Sequence, residues 1–293
     1  MMKTAMIVVD CQNDLGEGPV WDHVKEELIW VDYNSGKICS FHPGSQKYSS
    51  VSVADTVMVA IPTNRKNWVV AIDKKVCIYD PYKKQVIREV TVEENKPDNR
   101  LNDGKCDAKN RLWIGTMNTA GDTAAGALYK VNADLTYEKM DEPFIIPNGI
   151  AWNKKNTAMF VVDSMTKEIF RYDFDLEKGT IRNKRVLIDT SSVMGWPDGM
   201  AIDEEDHLWV AFWQGQSVVR YDSNTGEVLT CIYVPAFIPS SCCFGGKDLR
   251  TLYITSSRRY DTAENIEKFP QAGGLFSCQP GVRGMPAAFF NES

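Results

Sequence analysis

The chain has 293 residues, 43% of them hydrophobic and 25% charged, with a formal net charge of −6. That is an ordinary globular balance, long enough to bury a large core without disulfides. The negative charge and the lack of any Lys/Arg run argue against a nucleic-acid partner, and no stretch approaches the roughly 18 apolar residues of a membrane span.

The N-terminal MMKTAMIVVD carries one Lys and a short apolar run that stops at Asp10. A secretory leader needs a longer apolar segment and a small-residue cleavage site, so the run reads as a strand over about residues 3–9 of a soluble, cytoplasmic protein. A recurring pattern follows: a small residue, an apolar pair, a polar turn and an apolar strand. The first copy is GPVWDHVKEELIWVD from Gly18, with KICSFH behind it, and a weaker second copy lies between Val57 and Val90 with NWVVAI and KVCIYD as its strands. The third is GKCDAKNRLWIGT from Gly104, followed by the small-residue loop NTAGDTAAG, read as part of a lid, and then GALYKV. GIAWNKKNTAMFVVD from Gly149 with EIFRYD makes the fourth, and GMAIDEEDHLWVAF from Gly199 with SVVRYD the fifth. SCCFGGKDLRTLYITS from Ser241 with GGLFSC is the sixth. Its strands are separated by a loop that opens with Arg258, Arg259 and Tyr260 and holds a short helical turn after Thr262; the loop is either solvated or part of a substrate rim.

Copies recur at about 42 to 50 residues, the size of one propeller blade. Strand positions are rich in Val, Ile, Tyr, Phe and Trp, and turns in Asn, Asp, Gly and Lys. A closed ring lets every sheet bury both faces, whereas an open solenoid needs polar caps that are missing here. The expected fold is therefore all-β: a six-bladed β-propeller with four-stranded blades around a central channel, one domain over 1–293, the N-terminal strand completing the last blade. Trp21, Trp30, Trp113, Trp152 and Trp209 recur at equivalent positions and should pack between blades, while Trp196 and Trp213 could line the channel mouth. The eight cysteines form no CxxC pair and sit mostly in apolar runs, as small core residues of a reducing compartment. Vicinal Cys242 and Cys243 should point to opposite faces of their strand.

Alignment on the opening glycine places Glu17, Asp103, Asn148 and Asp198 directly before it in four copies. Asp-Gly and Asn-Gly can be ordinary turns, but Glu is not a favoured turn former. In a ring, equivalent positions are related by rotation about the axis, so these four side chains should converge. Carboxylates brought that close repel unless protons or a cation neutralise them, and oxygen donors suit hard divalent cations. His23, His42 and His207 fall in or beside turns and offer no metal or triad pattern, and a nucleophile elbow is missing.

LGEGPVWD, NRLNDGK, GTM, PNGIAW, PDGMAID with LWVA, and AGGLF with GVRGMP occur in one order from about Leu15 to Phe290. Together they resemble the regucalcin (senescence marker protein) and gluconolactonase family. The resemblance implies a metal-dependent lactonase acting on sugar (aldono) lactones such as gluconolactone. It assigns one divalent ion, Ca²⁺ first and Zn²⁺, Mn²⁺ or Mg²⁺ as alternatives, to Glu17, Asn148 and Asp198. Asp103 would stand beside the ion or reach it through water, and Arg100 and Asn102 would hold the substrate. Asp198 is the candidate base toward the attacking water, with direct nucleophilic attack as a variant. One departure concerns a Glu that regucalcins carry shortly after GTM: this chain has Asn118, Thr119 and Ala120, which puts the choice of lactone in question. A calcium-binding regulatory propeller without catalysis and a propeller esterase or phosphotriesterase share the same site and are the competing readings. A WD-repeat scaffold lacks its Gly-His and Trp-Asp signatures here. The partner is a small-molecule lactone; monomer and weak dimer are both open.

Overall fold

Runs such as LIWVD, AMFVVD and LWVAF are apolar on both faces, whereas KYSSVS and QVIREVT alternate with polar residues; one blade needs both kinds, for its inside and its outside. The computed structural model describes residues 3–260 and 262–293 and realises that gradient in six consecutive sheets. In the first, Gly16–Asp22, Glu27–Asp32, Lys37–His42 and Lys47–Ser52 pair antiparallel in that order. Glu27–Asp32 is almost wholly buried and Lys47–Ser52 almost wholly exposed. The other five sheets begin with the innermost strands Val59–Pro62, Asn99–Cys106, Pro147–Trp152, Trp196–Ile202 and Ile238–Gly245. The chain is a six-bladed β-propeller; its one helix among the described residues, Ala263–Lys268, is capped by the Thr262 hydroxyl accepting from the Asn265 N–H. No helix of the described residues is long and apolar enough to cross a membrane.

Six apolar clusters fill the six spaces between neighbouring blades. Trp113 packs edge-on against Trp152 across the third and fourth blades, and Trp209 against Phe244 across the fifth and sixth. Trp21, Leu28 and Trp30 of the first blade pack with Cys243, Leu249 and Tyr253 of the sixth, which shuts the ring. Met6–Val9 pairs with Leu275–Cys278 as the outer strand of the sixth blade, while Lys3–Thr4 runs parallel to Val228–Tyr233 of the fifth. The N-terminal segment therefore ties two blades together. Cys242 donates to the Trp209 carbonyl of the fifth blade while Cys243 lies against the first, so the two thiols do face opposite ways.

Inner strands approach one another so closely around the axis that only glycine fits at certain points. A Cβ on Gly199 would lie 1.9 Å from the Ser241 hydroxyl, and one on Gly149 would lie 2.5 Å from the Asp198 carbonyl. The Asp-Gly and Asn-Gly pairs are thus mid-strand packing features rather than turns. At the far ends of the inner strands the C-terminal tail crosses the ring: Gly284 bridges to Asp203 and Phe290 to Thr63. Buried Glu292 accepts there from Thr63 Oγ1 at 2.8 Å and Asn67 Nδ2 at 2.9 Å.

Candidate functional site

Five inner strands slip register against their neighbour at the same repeat position, beside the opening glycine in four blades and beside Ser241 in the sixth. The slips fall between Glu17 and Val20, Leu101 and Gly104, Asn148 and Ile150, Pro197 and Met200, and Pro239 and Ser241. A bulge of this kind re-aims a side chain that regular pleating would send between blades. The second blade stays in register and supplies Met58. The result is a cavity of about 490 Å³ at the start of the inner strands, and Glu17, Arg100, Asn102, Asp103, Asn148 and Asp198 all line it. Side chains as much as 181 positions apart in sequence, Glu17 and Asp198, share one floor.

The floor is acidic and poorly compensated. Asp198 is only 4% exposed and Asn148 8%; Glu17 and Asp103 are half-buried and line the cavity. Burial first, then the carboxylates of Asp198 and Asp103, hold Glu17 well above the usual carboxylate range, with the Gly18 N–H and Arg100 pulling the other way. Asp198 is likewise held well above it by burial and by Asp103, against hydrogen bonds from Asn148 and the Gly199 N–H. Burial also raises Asp103, opposed by Lys105 and the Gly104 N–H. Asn148 donates Nδ2 to Asp198 Oδ1 across the two blades and to Ser164 Oγ at 3.3 Å.

Above the floor the wall carries donors. Arg100 donates from Nη1 to Asn102 Oδ1 and to the Leu101 carbonyl, both at 2.9 Å, and Asn102 Nδ2 donates to the Pro147 carbonyl of the next blade at 3.0 Å. Thr119, Ala120 and Gly121 form one side of the cavity, pinned where the Thr119 N–H and hydroxyl both reach the Asp98 carbonyl. Trp196 and Trp213 line the mouth, as do Arg259 and Tyr260 from the loop before the helix; Arg258 instead reaches Gln12. None of the three histidines faces the cavity.

Sequence reading followed one rotational position and missed a second. The residue just after the second strand of a blade is Tyr33 in the first, Ser164 in the fourth and Gln214 in the fifth, and all three line the cavity. VDY, VDS and FWQ occupy the same repeat position, so the signal was there; chemical dissimilarity hid it. Among the described residues no group of three or more His, Cys, Asp or Glu side chains stands at metal-holding separations. A donor set of two carboxylates and an amide would not form such a group. These weakly opposed carboxylates are nonetheless chemically suited to a cation, which would offset the burial that chiefly raises their pKa values and the mutual repulsion that adds to it at Glu17 and Asp198.

Three comparisons locate this chain among known proteins. Residues 15–258 match the family model described as SMP-30/gluconolactonase/LRE-like region. Human regucalcin is 33% identical over 92% of this chain and 92% of its own length. The Bacillus subtilis protein YvrE, assigned as a sugar lactone lactonase, is 31% identical over 98% and 99%. Among solved structures, regucalcin from Agrobacterium tumefaciens, a calcium-binding protein, superposes with a TM-score of 0.94 at 25% identity, covering 99% of this chain and 98% of that one. The gluconolactonase of Xanthomonas campestris superposes at 0.76 with 18% identity over 96% and 89%, a likeness of fold. The chain belongs to the SMP-30/gluconolactonase/LRE-like family.

Proposed function

We propose that this member of the family is a divalent-metal-dependent lactonase that opens sugar lactones in the axial cavity. The observation that carries the reading is the floor itself: buried Asp198 and half-buried Glu17 and Asp103 line one cavity with too few donors to offset their charge, alongside the polar groups of Arg100 and Asn102. Glu17, Asn148 and Asp198 would hold the ion, with Asp103 beside it; Asn148 would have to present Oδ1, the reverse of the face it turns to Asp198 here. Calcium is our first choice, since all donors are hard oxygens, with Zn²⁺, Mn²⁺ and Mg²⁺ to be tested beside it. When bound, the ion would supply Lewis-acid polarisation of the lactone carbonyl.

The chain's own groups account for the remaining steps. Arg100 and Asn102 donate to ring and hydroxyl oxygens and orient the lactone, the guanidinium being fixed by its bond to Asn102. Asp198 takes a proton from the attacking water as its oxygen bonds to the carbonyl carbon, and the ring C–O bond then breaks with the proton passing to the leaving alkoxide. Eight free cysteines, five of them buried, suit a reducing compartment, and we place the protein in the cytoplasm.

The test is a panel of aldonolactones assayed by acid release, with and without chelator and with each metal restored. Turnover that disappears with the chelator and returns with a metal supports the reading. Tight metal binding with no turnover of any lactone or simple ester replaces it with a calcium-binding regulatory propeller; the Agrobacterium relative is a calcium-binding protein.

A further inference from the structure

Across the cavity the charge is divided, negative at the floor and positive at the mouth. Arg100 and Arg259 come from different blades, yet their guanidinium carbons lie 5.2 and 5.8 Å from the ring centroid of the same residue, Tyr33, and Arg259 also lies 4.8 Å from that of Tyr260. Both line the cavity. Neither forms an ion pair with any acid among the described residues. Their hydrogen bonds go to neutral acceptors: Arg100 to a carbonyl and Asn102, and Arg259 to Asn34 Oδ1 at 2.9 Å. Each guanidinium has five N–H donors, so most remain available. The adjacent wall, Thr119 to Gly121, carries no charge.

Two half-buried cations gathered on one aromatic ring repel, and they stand in a chain whose net charge is −6. Arg259 adds to the burial that already disfavours the charged form of Arg100. Such a pair is stabilised by an anion that both can reach, and planar guanidinium forks match carboxylate and phosphate oxygens. A neutral polyol would leave the second guanidinium without a counter-charge.

We propose that the preferred substrates are anionic lactones, carrying a carboxylate or phosphate at the end remote from the ring carbonyl, and that Arg259 with Arg100 clamps this group at the cavity mouth. The inference rests on the lactonase reading for its chemistry, but the clamp can be measured without turnover.

Glucono-1,5-lactone, its 6-phosphate and glucaro-1,4-lactone, which keeps a free carboxylate at C6, are compared as substrates of the wild type, Arg259→Gln and Arg259→Lys; the last two lactones separate phosphate from carboxylate. The expected wild-type preference for at least one anionic lactone over the neutral one is about tenfold or more in kcat/KM, carried mostly by KM. In Arg259→Gln the ratio collapses toward one, and Arg259→Lys recovers part of it. Equal or faster turnover of the neutral lactone by the wild type overturns the inference and leaves the lactonase reading intact. If no lactone is turned over, calorimetric titration of gluconate and 6-phosphogluconate into wild type and Arg259→Gln decides instead. A phosphate-dependent gain in affinity that Arg259→Gln removes supports the clamp, and equal binding of both ligands overturns it.

Discussion

The two ends of the inner strands carry buried acids in opposite circumstances. Beyond the far end of the third inner strand, fully buried Asp107 accepts from the Lys109 and Arg111 backbone N–H groups, Arg111 Nε and Trp113 Nε1. Asp203, in the same place on the fifth blade, accepts from the Glu205 and His207 N–H groups, Trp209 Nε1 and Arg220 Nε. At the cavity end, Glu17 and Asp103 each accept from the N–H of the following glycine, and Asp198 from Asn148. One set of carboxylates is saturated with donors and belongs to the architecture. The other is left short, which stability alone does not favour and a bound cation would require. The same repeat unit thus separates donor-saturated acids from donor-poor ones along the length of one strand.

Swapping the treatment of the two sets is the sharpest way to break this contrast. Asp198→Asn should lower lactone kcat/KM by about three to four orders of magnitude, roughly 4–5.5 kcal/mol of transition-state stabilisation. Its thermal midpoint without metal should not fall, because one of three repelling acids has been neutralised. Asp203→Ala should do the reverse. It leaves Trp209 Nε1 and Arg220 Nε without their acceptor, Arg220 keeping only the exposed Glu205 carboxylate, and should cost about 2–4 kcal/mol in denaturant unfolding, with kcat/KM at 25 °C within about twofold of wild type. If Asp198→Asn destabilises as Asp203→Ala does, the cavity acids are structural and the contrast fails.

How much of this was legible beforehand follows from what repeats. Blade strands and their order could be read because burial imposes apolar runs at every blade, and the site acids because Glu17, Asp103, Asn148 and Asp198 hold one repeat position. The register slips that turn those side chains to the axis were not legible, since no residue type marks them reliably; the glycines beside them read as turns, while the structure gives them a packing role. Arg259 and Tyr33 meet only because a loop of the sixth blade reaches over the first. The sequence marks Arg259 only as a member of a polar loop, so its place on the rim was left open. The outer turns at Asp107 and Asp203 could have been paired by eye, as DAKNRLW and DEEDHLW, and their role as donor-saturated anchors inferred from the Trp six residues on.

The smallest expected effect concerns pH and tests the cavity end alone. In the metal-free protein the raised pKa values of Glu17, Asp103 and Asp198 mean that the folded state keeps protons the unfolded chain releases near pH 4. Below that point both states are protonated and these groups do not affect stability. Rising pH then favours the unfolded chain until the folded acids themselves ionise, at most by about 1.4 kcal/mol per pH unit for each proton retained. Asp198→Asn removes one such proton and relieves its neighbours, while all other acids are common to both proteins and cancel in the difference. Between pH 5 and 8 in chelator, the wild-type thermal midpoint should therefore fall relative to that of Asp198→Asn. Saturating cation should abolish the decline by stabilising the ionised acids of the folded wild type. A difference that stays level across this range would mean that the floor is adequately solvated or paired, leaving no electrostatic reason for a cation there.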